Sequence, residues 1–120
     1  MAFDLNGYAW VAQSDSGIAV LKITTNEWVR HYTYGSTNHI IPQGYINAVT
    51  TNNHSIRWFG STQGLIRLSD STFTKFTTST TAELPSNYIT SLAYDLFGNL
   101  WIGTTKGVAV YNPDGTRFGN

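Results

Sequence analysis

The chemistry open to this chain begins with its histidines. A metal site or a general base asks for a His beside a carboxylate or a second His, at a spacing that the local structure can hold. His31, His39 and His54 fall in three separate stretches, and no two stand at metal-ligand spacing. His39 has Asp15 and Glu83 as candidate carboxylate partners, and nothing in the spacing singles that set out. No phosphate-binding loop or nucleophile motif occurs. The absence of cysteine removes a disulfide frame and a thiolate metal site. No catalytic residue, metal ligand or cofactor is therefore assigned. A second chemistry is stacking: Trp10, Trp58 and Trp101 could each offer an indole face to a sugar ring.

The elements that hold these residues are short strands. Residues 89–112 read ITSLAYDLFGNLWIGTTKGVAVYN, three apolar runs separated by FGN and TTKG. Each run is strand length and rich in β-branched or aromatic residues, and each break carries Gly. The same unit occurs earlier. Ile46 answers Ile89, Trp58 answers Trp101 and Leu65 answers Val108, at a constant offset of 43 residues. A third copy opens the chain, where Trp10 answers Trp101 and Ile18 to Leu21 answers Val108 to Tyr111, with one extra residue in Gln13-Ser14-Asp15-Ser16. A fourth, alternating run follows twice, at Glu27 to Tyr32 and at Ser71 to Phe76.

Four short antiparallel strands in a unit of about 40 to 45 residues are the signature of a β-propeller blade. The expected fold is all-β: one propeller segment over 1–120, with blade one at 1–34, blade two at 45–77 and blade three at 88–120. Strands are expected near 8–13, 18–23, 46–51, 56–61, 65–69, 89–94, 99–104 and 108–112, with no helix. Blade one keeps only the tail of its inner strand at Met1 to Asp4, and blade three stops at Thr116-Arg117-Phe118, where its outer strand should begin. Equivalent placement of the three tryptophans favours packing between neighbouring blades over sugar platforms. Gly17, Gly64 and Gly107 read as turn glycines between second and third strands. Asp4 and Asp95 precede a hairpin, where Asp caps its own backbone. Asn112-Pro113-Asp114-Gly115 reads as a turn.

The repeat resembles the two-component regulator propeller repeat. The resemblance rests on Ile89 to Leu92, on Asp95-Leu96-Phe97-Gly98-Asn99-Leu100-Trp101-Ile102-Gly103-Thr104, on Gly107-Val108, and on the lead-in Leu84-Pro85-Ser86-Asn87. Blade two departs with Ser55 at the turn Gly and Arg57 before Trp58, and blade one with Ala12 in place of Gly103. The resemblance implies a sensor-type, ligand-binding module of bacterial signalling proteins, periplasmic or extracellular, with carbohydrate as the ligand class. Streptogramin-lyase-like propellers share a related repeat, which keeps a lyase-like enzyme as an alternative. A structural or protein-interaction propeller segment is a third.

Composition narrows the partners. Seven Lys plus Arg balance seven Asp plus Glu, so no basic stripe exists to bind nucleic acid. No run is long enough to span a membrane. No signal peptide is visible, and an exported protein would carry this chain as a mature or excised segment. In a propeller, the joints between blades and the turns between second and third strands emerge together around the channel mouth. That face gathers Asn38, His39, Gln43, Tyr45, Asn87 and Tyr88 from the joints, and Asp15, Gln63 and Lys106 from the turns. Polar loops on a rigid scaffold are where binding concentrates. Three blades do not close a ring, since propellers use about four to eight. The expected partner is a second copy, making a six-bladed homodimer.

Overall fold

A computed structural model describes residues 2–3, 6–13, 17–37, 40–42, 44–51, 56–69, 71–112 and 118–119. The strands form three antiparallel sheets of four. Blade one holds β1 (Ala2–Phe3), β2 (Tyr8–Gln13), β3 (Gly17–Lys22) and β4 (Glu27–Tyr32). Blade two holds β5 (Ile46–Thr51), β6 (Ile56–Ser61), β7 (Gly64–Ser69) and β8 (Thr72–Phe76). Blade three holds β9 (Ile89–Tyr94), β10 (Leu100–Thr104), β11 (Gly107–Tyr111) and β12 (Phe118–Gly119). Strand order in each sheet follows the chain, so every blade is a meander, and no helix occurs among the described residues. This is the all-β propeller architecture expected from the repeat.

Two details differ from the sequence reading. Gly17, Gly64 and Gly107 are the turn glycines expected, but each also opens its strand, one residue before the expected start, paired with Gln13, Ser61 and Thr104 respectively. Their φ angles are 89°, 136° and 141°, a region closed to most side chains. A Cβ at Gly17 would run into the Tyr32 carbonyl. Blade three also carries the start of an outer strand, because Phe118 and Gly119 pair with Tyr111 and Val110. The expected turns at 14–16 and 113–115, together with Asp4 and His54, lie outside the described residues.

Alternation of side chains gives each sheet two faces. The register sets corresponding rows across them. On the trailing faces these are Ala2–Trp10–Val20–Arg30, Thr50–Trp58–Arg67–Thr74 and Ala93–Trp101–Val110–Gly119. On the leading faces they are Phe3–Ala9–Leu21–Trp28, Thr51–Arg57–Leu68–Phe73 and Tyr94–Leu100–Tyr111. The core lies between sheets. Trp10, Ile18 and Val20 of blade one cluster with Phe59, Ile66 and Leu68 of blade two, and Ile41 from the intervening joint is buried among them. Trp58 and Leu65 of blade two cluster with Leu100, Ile102, Ala109 and Tyr111 of blade three, and Leu84 fills the matching place.

Aromatic and cationic contacts fix each junction. Trp10 stacks on Tyr32 at 6.0 Å with 4° between the rings, and the Arg57 guanidinium lies 4.8 Å from the Trp10 ring centre. Trp58 meets Tyr111 edge-on at 4.8 Å, and Arg67 lies over Trp58 at 5.8 Å while donating to the Tyr111 hydroxyl at 2.6 Å. The inner strands also join blade to blade. Asn47 and Thr90, at equivalent places, are each passed over by a bulge in the register. Asn47 Nδ2 donates to the Ile89 carbonyl at 2.8 Å. Blade three approaches so closely there that a Cβ at Gly60 would collide with the Ile89 side chain.

The three tryptophans are not equally buried. Trp10 and Trp58 are 5% and 1% exposed, whereas Trp101 is 47% exposed. The expectation of equal packing fails at Trp101 for a physical reason. An indole on a trailing face is covered by the leading face of the following blade, and no described sheet follows blade three. Val108, on the same face, is exposed as well. At the other end, Phe3 and Trp28 are exposed on the leading face of blade one. Trp58→Ala is expected to lower unfolding free energy by about 3–5 kcal/mol, and Trp101→Ala by at most about half of that. Urea melts of the two variants beside the parent chain measure the difference.

Candidate functional site

The joints between blades are built to a common plan. Thr33 opens the first and Thr77 the second, each starting a single hydroxyl-braced turn. Thr33 N donates to Ser36 Oγ at 2.8 Å and Thr77 N to Thr80 Oγ1 at 3.0 Å. Thr37 N and Thr81 N return to the carbonyls of Thr33 and Thr77 at 3.1 Å and 2.8 Å. Each joint then drops Ile41 or Leu84 into the core between blades. Pro42 or Pro85 follows, and the chain surfaces at Tyr45 or Tyr88, both exposed.

The end of each joint is clamped to the turn between the second and third strands of the blade it enters. Thr62 N donates to the Tyr45 carbonyl and Thr105 N to the Tyr88 carbonyl, both at 3.2 Å. Those turns are themselves fixed by hydroxyls. Ser61 Oγ donates to the Gly64 carbonyl and accepts from Gln63 N; Thr104 Oγ1 does the same with Gly107 and Lys106 N. Asn87 Oδ1 accepts from Thr78 N at 2.8 Å, which ties the far side of the second joint to its own start. Ser86 Oγ bonds Thr105 Oγ1 at 3.1 Å.

Of the residues assigned to this face from sequence, Tyr45 stands at the turn that carries Gln63, and Tyr88, with Asn87 before it, at the turn that carries Lys106, at the same end of their two blades. Asp15, Asn38, His39 and Gln43 lie outside the described residues. Glu83 is exposed, His31 is exposed on β4, and the His39 pairing has no described geometry. Thr62, Ser86 and Thr105 were missed. For Thr62 and Thr105 the signal was the recurring hydroxyl pair ahead of Gly64 and Gly107, Ser61-Thr62 and Thr104-Thr105; Ser86 stands outside it. Phenol, amide and ammonium groups on fixed turns can stack against and hydrogen-bond a polyhydroxylated ligand. Among the described residues, no three His, Cys, Asp or Glu side chains gather as a metal site.

The opposite end carries the hairpin that closes β9 on β10. Asp95 Oδ1 accepts from Phe97 N at 2.8 Å and from Asn99 N at 2.9 Å, the self-capping expected of it. Its other oxygen accepts from Trp101 Nε1 at 2.9 Å and Asn99 Nδ2 at 3.0 Å. The Trp101 bond first, and the Asn99 bond next, hold the Asp95 carboxyl at a pKa of about 2. Tyr94 is different: burial pushes its hydroxyl up to about 12, partly offset by a hydrogen bond from Trp58.

Three meander sheets stacked face to face define a β-propeller segment, and solved structures bear this out. The extracellular domain of BT3049 from B. thetaiotaomicron, described as a hybrid two-component system, matches 98% of this chain at 27% identity with a TM-score of 0.79. The extracellular domain of BT4673 from the same organism, described as a one-component system, matches 97% at 22% identity with a TM-score of 0.77. PorZ of Porphyromonas gingivalis, a bacterial surface component of the type-IX secretion system, matches 89% at 23% identity with a TM-score of 0.70. The likeness to the two-component regulator propeller repeat, drawn from the Asp95 to Thr104 pattern, agrees with the BT3049 domain. This chain spans 16%, 15% and 16% of those three solved chains. No family model matches the sequence, and no curated protein does.

The Asp95 carboxyl supports the hairpin only while ionised. Its folded pKa of about 2 lies below the ordinary value of 3.8. The stability it lends is therefore complete above pH 4 and disappears as pH falls through 2. Thermal melts between pH 2 and pH 5 should show a fall in the parent chain that is smaller in Asp95→Asn, and salt should shrink the difference, because the group is solvent-facing.

Proposed function

We propose that this chain is a non-catalytic, ligand-binding segment of an extracytoplasmic sensor propeller, with carbohydrate as the ligand class, bound by the loops at the channel mouth. The observation that carries this reading is the clamp repeated at two blades, Thr62 to Tyr45 and Thr105 to Tyr88. It holds a phenol, and beside it Gln63 or Lys106, on backbone that is fixed before any ligand arrives, which lowers the ordering cost of binding. The likeness to the BT3049 extracellular domain supports the sensor setting. In a glycan array and follow-up calorimetry, the chain should bind at least one glycan saturably. Tyr88→Ala and Lys106→Ala should each weaken that binding by about tenfold without changing the far-UV spectrum. Failure to bind any glycan, or binding indifferent to both variants, overturns the reading.

The exposed faces favour a partner for the ring. We propose that the trailing face of blade three docks on the leading face of blade one of a second copy, making a six-bladed homodimer. Trp101 and Val108 present on blade three the type of surface that Trp58 presents to blade three within the chain. The receiving face has Phe3 and Trp28 standing at the ends of a row. Light scattering at micromolar concentration should give twice the 13.3 kDa chain mass. Val108→Glu should return it to the monomer. A monomeric parent chain rules the dimer out.

A further inference from the structure

A buried indole needs an acceptor for its N–H, and the equivalent tryptophans of blades two and three find theirs in different places. Trp58 donates across the junction, to the Tyr94 hydroxyl on the leading face of blade three. Trp101 donates to Asp95 Oδ2 at 2.9 Å, inside its own blade. The same oxygen accepts from Asn99 Nδ2 at 3.0 Å, and the other oxygen caps the hairpin backbone. The repeat puts Asn52 and Ile56 in blade two where blade three has Asp95 and Asn99. Blade two thus has no carboxylate at that place in its repeat, and its indole draws on the neighbouring sheet instead.

This difference sets what kind of face each indole can meet. The register puts Phe3, Thr51 and Tyr94 at one place on the three leading faces, beside Ala9, Arg57 and Leu100 of the next strand. Thr51 and Tyr94 carry a hydroxyl there, and Phe3 carries none. The leading face of blade one is therefore suited, at this place, to an indole whose N–H is already bonded. Trp101 is such an indole, and it and Phe3 are both exposed at opposite ends of the described sheets.

We propose that Asp95 is a positioning residue for closure of the ring: by bonding the Trp101 N–H within blade three, it fits that indole to the Phe3 face of a second copy. The assignment rests on the homodimer reading. The carboxylate holds the indole in one orientation before docking, which lowers the ordering cost of association. Without it, docking buries an indole N–H against a phenyl ring, and an unpaired buried donor opposes binding.

Sedimentation equilibrium of the whole chain over a dilution series gives the dimer dissociation constant. Asp95→Asn is the variant to use, because its carbonyl can still cap Phe97 N and Asn99 N while its amide turns a donor toward the indole. It should weaken the dimer about tenfold. Adding Phe3→Tyr should recover most of that loss, since a hydroxyl then stands where Tyr94 stands for Trp58. In the Trp101→Phe background, which has no indole N–H, Asp95→Asn should leave the dissociation constant unchanged. A merely looser hairpin would weaken the dimer equally in both backgrounds and would not respond to Phe3→Tyr; either result overturns the assignment. A dimer indifferent to Asp95→Asn also overturns it, and leaves the homodimer reading standing. A monomeric parent chain removes both.

Discussion

A four-stranded sheet with apolar side chains on both faces cannot stand alone in water. Everything in this chain follows from covering both faces of each blade. Blade two shows the constraint satisfied: Trp58 and Leu65 press one way and Phe59 and Ile66 the other, and all four are buried. Blades one and three show it half satisfied. Burial of a residue here depends less on its own strand than on whether a neighbour follows or precedes it, which is why identical positions in the repeat, Trp58 and Trp101, have such different surroundings.

The junctions are conserved in plan and variable in filling. Each needs a large ring on strand two, an apolar row opposite, and a buried aliphatic from the joint. Each also carries a cation over the ring, and the sheet that supplies it changes from one junction to the next. A cation–π contact fixes where a guanidinium sits but not which strand it comes from. Arg57 and Arg67 exploit that freedom, one from the sheet facing the indole and one from the indole's own sheet.

Much of this was legible in the sequence, because the signals were local and repeated. The strand bounds at 8–13, 46–51, 56–61 and 89–94 came from apolar runs repeated between polar breaks, and register within a meander follows from short turns. Asp95 was legible because a carboxylate two residues before a turn has its partners within the same few residues. Trp101 was misread because its burial is settled by a sheet that its own repeat does not contain. Ile41 and Leu84 passed as loop residues, since one or two apolar side chains in a polar stretch have no period to reveal them. The Arg57 and Arg67 exchange was hidden for another reason: the repeat aligns Val20 with Arg67, but only the packing of sheet on sheet shows that Arg57 of the facing blade lies over Trp10.

The placement of Ile41 and Leu84 bears on how such a chain can lengthen. Each belongs by sequence to a connector but by packing to the seam between two blades. The stretch from Ile41 to Glu83 therefore carries one whole blade together with the plug of the seam in front of it. Copying that stretch in a gene would add a blade that arrives with its own sealing residue and its own clamp, Thr62 on Tyr45. A cut made between the blades as drawn on the page, after Phe76, would instead separate a seam from its plug. The unit of inheritance in this architecture is offset from the unit of shape, and tandem growth by duplication is open to the former.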